Sequence, residues 1–120
     1  MEKTENIPEI EEIIKNNVVI FRIKGKLNAP LSVAIEKTTV EHLNSKHNNF
    51  LLNLTDTSYI NSAGLRMLLS VKKQIKAQDG KFAVCGLNTE LLEIMKICGF
   101  DHVLEIAKNE EEALRQFDGH

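Results

Sequence analysis

One serine stands where a strand is predicted to pass into a helix, within the segment Thr57–Leu69. A short loop places Ser62 at, or next to, the first turn of that helix. Backbone N–H groups in a first turn have no partner inside the helix, and the helix dipole is positive there. Ser62 can therefore cap the helix, which stabilises it by about 1 kcal/mol, or carry a phosphate that those N–H groups accommodate. The small neighbours Ala63 and Gly64 leave room for a partner surface to approach closely.

The other residues that could do chemistry form no recognisable catalytic or metal-binding motif. Glycine-rich phosphate loops and the GxSxG motif of serine hydrolases are absent from the sequence. The four histidines lack ligand spacing, and His42 and His47, five apart, should lie on different faces of a helix. Cys85 and Cys98 lie in apolar surroundings, which indicates reduced, buried thiols rather than zinc ligands. We therefore expect no enzyme activity, no metal and no cofactor.

The composition is that of one globular unit. With 120 residues, 42% of them hydrophobic, the chain suits a single domain, predicted over residues 1–120, and is too short for two. Fifteen basic and seventeen acidic residues give a net charge of -2, which argues against nucleic-acid binding. No apolar run approaches the roughly 20 residues needed to cross a bilayer. Because the start is acidic and unlike a secretory signal, we expect a cytoplasmic protein.

Apolar runs and turn signals predict strands that alternate with helices. A hairpin is expected first, formed by Glu9–Ile14 and Val18–Ile23, with Gly25 ending its second strand. Further strands are predicted over Phe50–Leu54, Phe82–Cys85 and Val103–Ile106, and helices over residues 30–46, over 62–78, from Asn88 or Thr89 to just before Gly99, and from Asn109 to Phe117. This order favours an α/β fold: a mostly parallel central sheet with the N-terminal hairpin at its edge and about four helices packed on it.

The helix after Ser62 has a wider apolar face than a sheet alone requires. Its apolar residues cover about 200° of the helix circumference, whereas packing on a sheet needs only somewhat more than about 100°. The surplus apolar surface lies on the side of Met67 and Val71. This surface can pack beneath a neighbouring helix or face a partner. Internal packing is favoured because a chain of this length needs all of its apolar residues to form a core.

Four stretches follow one another in a familiar order: Gly25–Asn28, Leu54–Leu69 with Ile60–Arg66 at its centre, Lys81–Gly86 and Leu91–Phe100. Together they resemble the STAS domains, in particular the free-standing bacterial anti-sigma-factor antagonists. The likeness extends over nearly the whole chain, and the predicted order of elements agrees with the STAS fold. The serine motif, in that order of elements, is its most specific part.

The resemblance implies a binding protein that is controlled by phosphorylation and catalyses nothing itself. Ser62 matches the phosphoacceptor of such antagonists. A serine kinase that doubles as the anti-sigma factor would phosphorylate it with ATP, and a phosphatase would reverse the modification. The unmodified antagonist would bind the kinase and free a sigma factor. From this motif, its small residues and the apolar face of the helix together, the residues predicted to contact the partner are Asn28, Asn61, Ala63, Gly64, Arg66 and Met67.

This chain departs from the family at two positions, Asn61 and Asn28, where the family usually has aspartate. Each asparagine keeps the shape of the side chain and its capacity to cap and to form hydrogen bonds, but removes a charge. The sequence leaves open whether this loss of charge weakens phosphorylation or partner binding.

Two alternatives of other kinds remain open. Free-standing STAS proteins also serve as soluble partners of transporter ATPases, including lipid-transport systems. In that case Ser62 only caps a helix, and the surface around Met67 and Val71 docks permanently. A small-ligand or nucleotide-binding module is the other alternative, which the lack of a phosphate loop disfavours.

Overall fold

The computed structural model describes residues 7–118. Residues 1–6, which belong to the stretch in which no secretory signal is predicted, and His120 lie outside this range. The first two strands, β1 (Ile10–Lys15) and β2 (Val18–Leu27), form the predicted antiparallel hairpin. Asn16 and Asn17 between them have φ values of 53° and 67°, as the tight turn of a two-residue hairpin requires.

The later elements alternate as predicted. They are α1 (Ala29–Asn44), β3 (Asn49–Ile60), α2 (Ser62–Ala77), β4 (Lys81–Cys85), α3 (Thr89–Ile97), a 3₁₀ helix (Phe100–His102), β5 (Glu105–Ala107) and α4 (Glu110–Asp118). The sheet has the strand order β1-β2-β3-β4-β5, in which β2 to β5 are parallel and β1 is the antiparallel edge. The predicted α/β fold, with a hairpin at the sheet edge and four helices, is confirmed.

Both faces of the sheet are covered, which explains the nearly continuous apolar runs of its central strands. On one face, Phe21 and Leu52 pack with side chains of α1, α2 and α3 in the larger core. On the other face, Ile20 and Leu51 belong to a smaller core that includes Ala113 of α4. Among residues 7–118, no helix has the length and apolar character needed to span a bilayer.

Two strands run further than predicted. β2 does not end at Gly25 but continues to Leu27 through a register shift, and Gly25 adopts a φ of 92° there. β3 extends to Ile60 because it stays paired with β2 along a mostly polar stretch. Thr57 fixes this stretch by donating from Oγ1 to the carbonyl oxygen of Ile23 at 3.0 Å. The extension brings both strand ends to the edge at which α1 and α2 begin.

Two further boundaries differ from the predictions because the chain turns there. β5 begins at Glu105 rather than Val103, since the Val103 amide still donates to the carbonyl oxygen of Phe100 at 3.0 Å. α1 ends at Asn44 rather than at residue 46, because Lys46 has a φ of 75° and leaves the helix. After α3, Gly99 takes the predicted left-handed position with a φ of 79°.

Candidate functional site

Two strand-to-helix junctions lie side by side at the carboxyl edge of the sheet. β2 and β3 are paired in parallel up to Leu27 and Ile60, and the next residues, Asn28 and Asn61, begin α1 and α2. The amide of Asn61 donates to the carbonyl oxygen of Leu27 at 3.3 Å, which joins the two junctions directly. The candidate site is this pair of helix N-termini, with Ser62 in the first turn of α2.

Asn61, not Ser62, caps α2. The side-chain Oδ1 of Asn61 accepts a hydrogen bond from the amide of Gly64 at 3.0 Å, and the Asn61 backbone is extended, as a cap requires. Ser62 is the first helical residue and is exposed. Within residues 7–118 its hydroxyl makes no hydrogen bond. The capping role that the sequence allowed for Ser62 is therefore wrong, and the hydroxyl is accessible.

The same type of cap begins each helix that follows a parallel strand. In the other three helices, the side-chain Oδ1 of an asparagine likewise accepts from a backbone amide: Asn28 from Leu31 at 3.3 Å, Asn88 from Leu91 at 2.8 Å and Asn109 from Glu112 at 2.9 Å. The first turns of α3 and α4 also carry glutamates, whereas those of α1 and α2 carry no acidic residue. The positive dipole ends at the candidate site are therefore not balanced by a carboxylate of their own first turn.

Gly64 serves the packing inside the domain. It is buried, and a Cβ atom at this position would lie 2.7 Å from Cγ1 of Ile60 and 2.9 Å from the carbonyl oxygen of Leu27. The absence of a side chain lets the first turn of α2 pack on the ends of β2 and β3. This corrects the prediction that Gly64 makes room for a partner, because the chain's own strands fill that space.

Met67 is also an internal residue. It is 3% exposed, and Val71 is 1% exposed, because α2 packs against α1 as well as against the sheet. The two helices are joined by Glu36 of α1, which accepts hydrogen bonds from Ser70 Oγ at 2.5 Å and from Gln74 Nε2 at 2.7 Å. The surplus apolar face of α2 is therefore internal, as the sequence favours, and the prediction that Met67 contacts a partner is corrected.

The outward face of α2 presents a row of accessible side chains. Its members follow one another at helical spacing: Ser62, Arg66, Leu69 and Lys73. Leu69 is 39% exposed, and Arg66 forms no ion pair with any residue in the range 7–118. We call Ser62, Arg66, Leu69 and Lys73 the serine row. The other predicted contact residues, Asn28, Asn61 and Ala63, lie beside this row and are half-buried.

A second polar cluster lies on the α4 face of the sheet. Arg22 of β2 donates from Nε and Nη2 to the two carboxylate oxygens of Glu110, at 2.6 and 2.9 Å, and Asn53 donates to Glu110 at 2.7 Å. The hydrogen bonds from Arg22 hold the pKa of Glu110 below its ordinary value, and the same contact raises the pKa of Arg22. The cluster fastens the start of α4 to the sheet. Sequence reasoning missed it because its partners are 57 and 88 positions apart.

The two cysteines are free thiols in different surroundings. Cys85 is buried in β4 as predicted, and burial raises the pKa of its thiol to about 12. Cys98 is exposed at the end of α3, which corrects the prediction that both thiols are buried. The absence of a disulfide agrees with the predicted reduced state.

The expectation for His42 and His47 is also wrong. Because α1 ends at Asn44, His47 does not lie on the helix, and the two Nδ1 atoms are only 3.4 Å apart. Among residues 7–118, no group of three or more His, Cys, Asp or Glu side chains is arranged to hold a metal ion.

Comparison with known proteins connects the chain to one family. The family model described as STAS domain matches residues 9–113. The chain is 25% identical over 118 residues to the anti-sigma F factor antagonist of Paenibacillus polymyxa, covering 92% of this chain and 95% of the relative. It is 27% identical over 105 residues to the anti-sigma-B factor antagonist of Listeria monocytogenes, covering 87% and 90%. The solved structure of the Bacillus cell fate determinant SpoIIAA in its phosphorylated form shares the fold, with a TM-score of 0.72, 16% identity, and 90% and 98% of the two chains covered.

Proposed function

The chain belongs to the STAS domain family, and we propose that it acts as an anti-sigma-factor antagonist. In this proposal it is a cytoplasmic protein-binding module rather than a catalyst. Its unmodified form binds a serine kinase that doubles as an anti-sigma factor, which frees a sigma factor. Phosphorylation of Ser62 ends the binding, and a phosphatase restores it. The observation that carries the proposal is the exposed Ser62 hydroxyl, which is free because Asn61 caps the helix.

The domain can carry a phosphate at Ser62 without unfolding. The first helical position lies beside N–H groups that have no partner within the helix, and no acidic residue stands in the first turn of α1 or α2. A phosphate brings a charge of about -1.5 to -2, which is favourable at a helix N-terminus. We therefore expect the effect of phosphorylation to fall on the partner complex and not on the fold.

The serine row explains how one phosphate would end binding. A partner that covers the exposed Arg66 and Leu69 also covers Ser62, which lies one turn before Arg66 and two turns before Leu69 on the same side of α2. A phosphate in a closely packed interface loses its hydration and repels any carboxylate opposite. Asn28, Asn61 and Ala63 border the row and are proposed as contacts at its rim. Gly64 and Met67 do not contact the partner in this proposal, because they pack the buried side of α2 against the rest of the domain.

The transporter-adaptor alternative is disfavoured by the positions of the residues on which it depended. It required Ser62 to cap α2 and the surface around Met67 and Val71 to dock on a partner. The cap is Asn61, and Met67 and Val71 are buried in the core.

Peptide mapping of the protein purified from its own cells tests the modification. We expect a gain of about 80 Da, one phosphate, on Ser62. Ser62→Ala should abolish the gain, and Ser58→Ala is the matched control, since Ser58 is an exposed serine on the adjoining end of β3. A Ser62 that stays unmodified across growth and stress conditions would refute the phosphorylation switch.

Calorimetric titration against the cognate anti-sigma-factor kinase tests the consequence. Ser62→Asp should bind at least about tenfold more weakly than Ser62→Ala, because a desolvated charge at an interface is costly. Both variants should unfold at the same temperature as the chain without substitutions. Equal affinities of the two variants would contradict the proposed mechanism even if Ser62 is phosphorylated in cells.

A further inference from the structure

Two imidazole rings meet at the end of α1. His42 lies in the last turn of the helix, and His47 follows it after Lys46, whose φ is 75°. The amide of His47 donates to the carbonyl oxygen of His42 at 2.9 Å, and that of Lys46 donates to Leu43 at 3.1 Å. This is the Schellman pattern, which folds the second residue beyond a helix cap over the last turn. It places the ring centroids 5.4 Å apart and the two Nδ1 atoms 3.4 Å apart.

Glu12 of β1 fixes which nitrogen of His42 carries the proton. Its Oε2 atom lies 2.6 Å from Nε2 of His42. An ionised carboxylate only accepts hydrogen bonds, so the neutral His42 ring is protonated at Nε2 and keeps its lone pair at Nδ1, on the side of His47. The ring cannot swing away easily, because its side chain is only 15% exposed and stands edge-on to Phe21 and Phe50.

These distances match the ligand geometry of a small divalent metal ion. In a tetrahedral site with metal–nitrogen bonds of about 2.0–2.1 Å, two imidazole nitrogens lie about 3.3–3.4 Å apart. The Nδ1 atoms of His42 and His47, which are within hydrogen-bond distance of each other, already have this separation. A histidine that binds a metal almost always donates its other N–H group to a carboxylate or carbonyl oxygen, and Nε2 of His42 is already paired with Glu12.

We propose that His42 and His47 bind a divalent transition-metal ion of the zinc type, each through Nδ1, with Glu12 as the supporting carboxylate. No third His, Cys, Asp or Glu side chain among residues 7–118 completes a metal-binding group with these two histidines, so water would complete the coordination and the site would bind more weakly than one with three or four protein ligands. The bound ion would join α1 to the turn before β3 and, through Glu12, to β1. It lies at the opposite end of α1 from Asn28, and therefore away from the candidate site around Ser62.

Zinc titration of the untagged full-length chain, followed by calorimetry, tests the site. We expect one ion per chain in the unmodified protein and a loss of affinity of at least about tenfold in His47→Gln, whose side chain lies outside the helix and the core. Glu12→Gln should weaken binding about 10- to 100-fold without changing its stoichiometry. His102→Gln is the matched control, because His102 is an 85% exposed histidine with no imidazole neighbour in the described range. His120→Gln controls for the C-terminal histidine.

A second readout identifies the coordinating nitrogen. Long-range proton–nitrogen NMR spectra should show that zinc shifts the Nδ1 signals of His42 and His47 while Nε2 of His42 remains protonated. Unchanged affinity in His47→Gln, equal losses in either control variant, or no binding by the unmodified chain at millimolar zinc would each overturn the proposal. So would a zinc-induced shift confined to other histidines.

Discussion

Replacing Gly64 with valine distinguishes a glycine that serves the fold from one that serves a partner. A Cβ atom at this position would lie 2.7 Å from Cγ1 of Ile60 and 2.9 Å from the carbonyl oxygen of Leu27, where ordinary contacts are 3.4–4 Å. Ile60 can adjust its side chain. The Leu27 carbonyl cannot move freely, because it lies at the end of β2 and accepts the amide of Asn61. The first turn of α2 must therefore lift by several tenths of an ångström.

The expected loss of stability follows from two opposing effects. Forcing an extra group into a packed region costs about 1–3 kcal/mol. Removing a helical glycine returns up to about 1 kcal/mol for alanine and less for valine, which is a poorer helix former. We therefore expect Gly64→Ala to lower the free energy of unfolding by about 1 kcal/mol, and Gly64→Val, with two more methyl groups, by about 2–3 kcal/mol.

Equilibrium unfolding in urea measures both losses, with Ser62→Ala as a control. Ser62 is exposed in the same turn, so its truncation should change the free energy of unfolding by no more than about 0.5 kcal/mol. If Gly64→Val is as stable as the unmodified chain yet no longer binds a partner, the packing argument is refuted. The glycine would then serve the interface, as the sequence alone suggested.

Three further predictions follow from local contacts. Asn61→Ala should lower the free energy of unfolding by about 1 kcal/mol in urea titrations, because the cap on α2 is lost; no loss would mean that another group caps the helix. Glu110→Gln should cost about 1 kcal/mol at neutral pH, a value reduced by the exposure of Arg22. The pKa of Glu110 is lower in the folded than in the unfolded chain. The extra stability of the chain with Glu110 over the variant is therefore complete above the unfolded pKa of about 4.3 and is lost as the pH falls through the folded pKa. A difference that persists undiminished in strong acid would contradict this assignment. A thiol reagent should modify exposed Cys98 and spare Cys85 until the chain unfolds; equal rates would show that Cys85 is accessible.

The order of strands and helices could be predicted because local signals mark it. Asn16 and Asn17 between two apolar runs define the hairpin, and Gly99 defines the end of α3. Strand length could not be predicted in the same way. The polar end of β3 is a strand only because β2 pairs with it and Thr57 bonds to the Ile23 carbonyl, contacts that join residues 34 positions apart.

The candidate site was located from sequence, but the roles within it were not. A motif with Asn61 and Ser62 adjacent contains two residues that can cap, and a shift of one residue in the helix start decides between them. The wide apolar face of α2 is compatible with Met67 in the core or at an interface, and the structure decides for the core because α1 covers this face together with the sheet. Spacing along a continuous helix predicts that His42 and His47 lie apart, but a Schellman turn between them brings the two rings together.

A comparison of the four helix caps explains what an asparagine at position 61 preserves and what it changes. Asn88 and Asn109 lie outside the serine motif and make the same bond to the amide three residues on, so an asparagine at position 61 or 28 preserves the scaffold fully. Relative to the aspartates that the resemblance leads us to expect at these two positions, the asparagines change only the charge, and they do so where the first turns of α1 and α2 hold no acidic residue. An aspartate at position 61 would oppose a phosphate on the next residue, whereas asparagine leaves the positive helix ends free to receive it. By this argument, the asparagines lower the electrostatic cost of phosphorylating Ser62 rather than remove the switch.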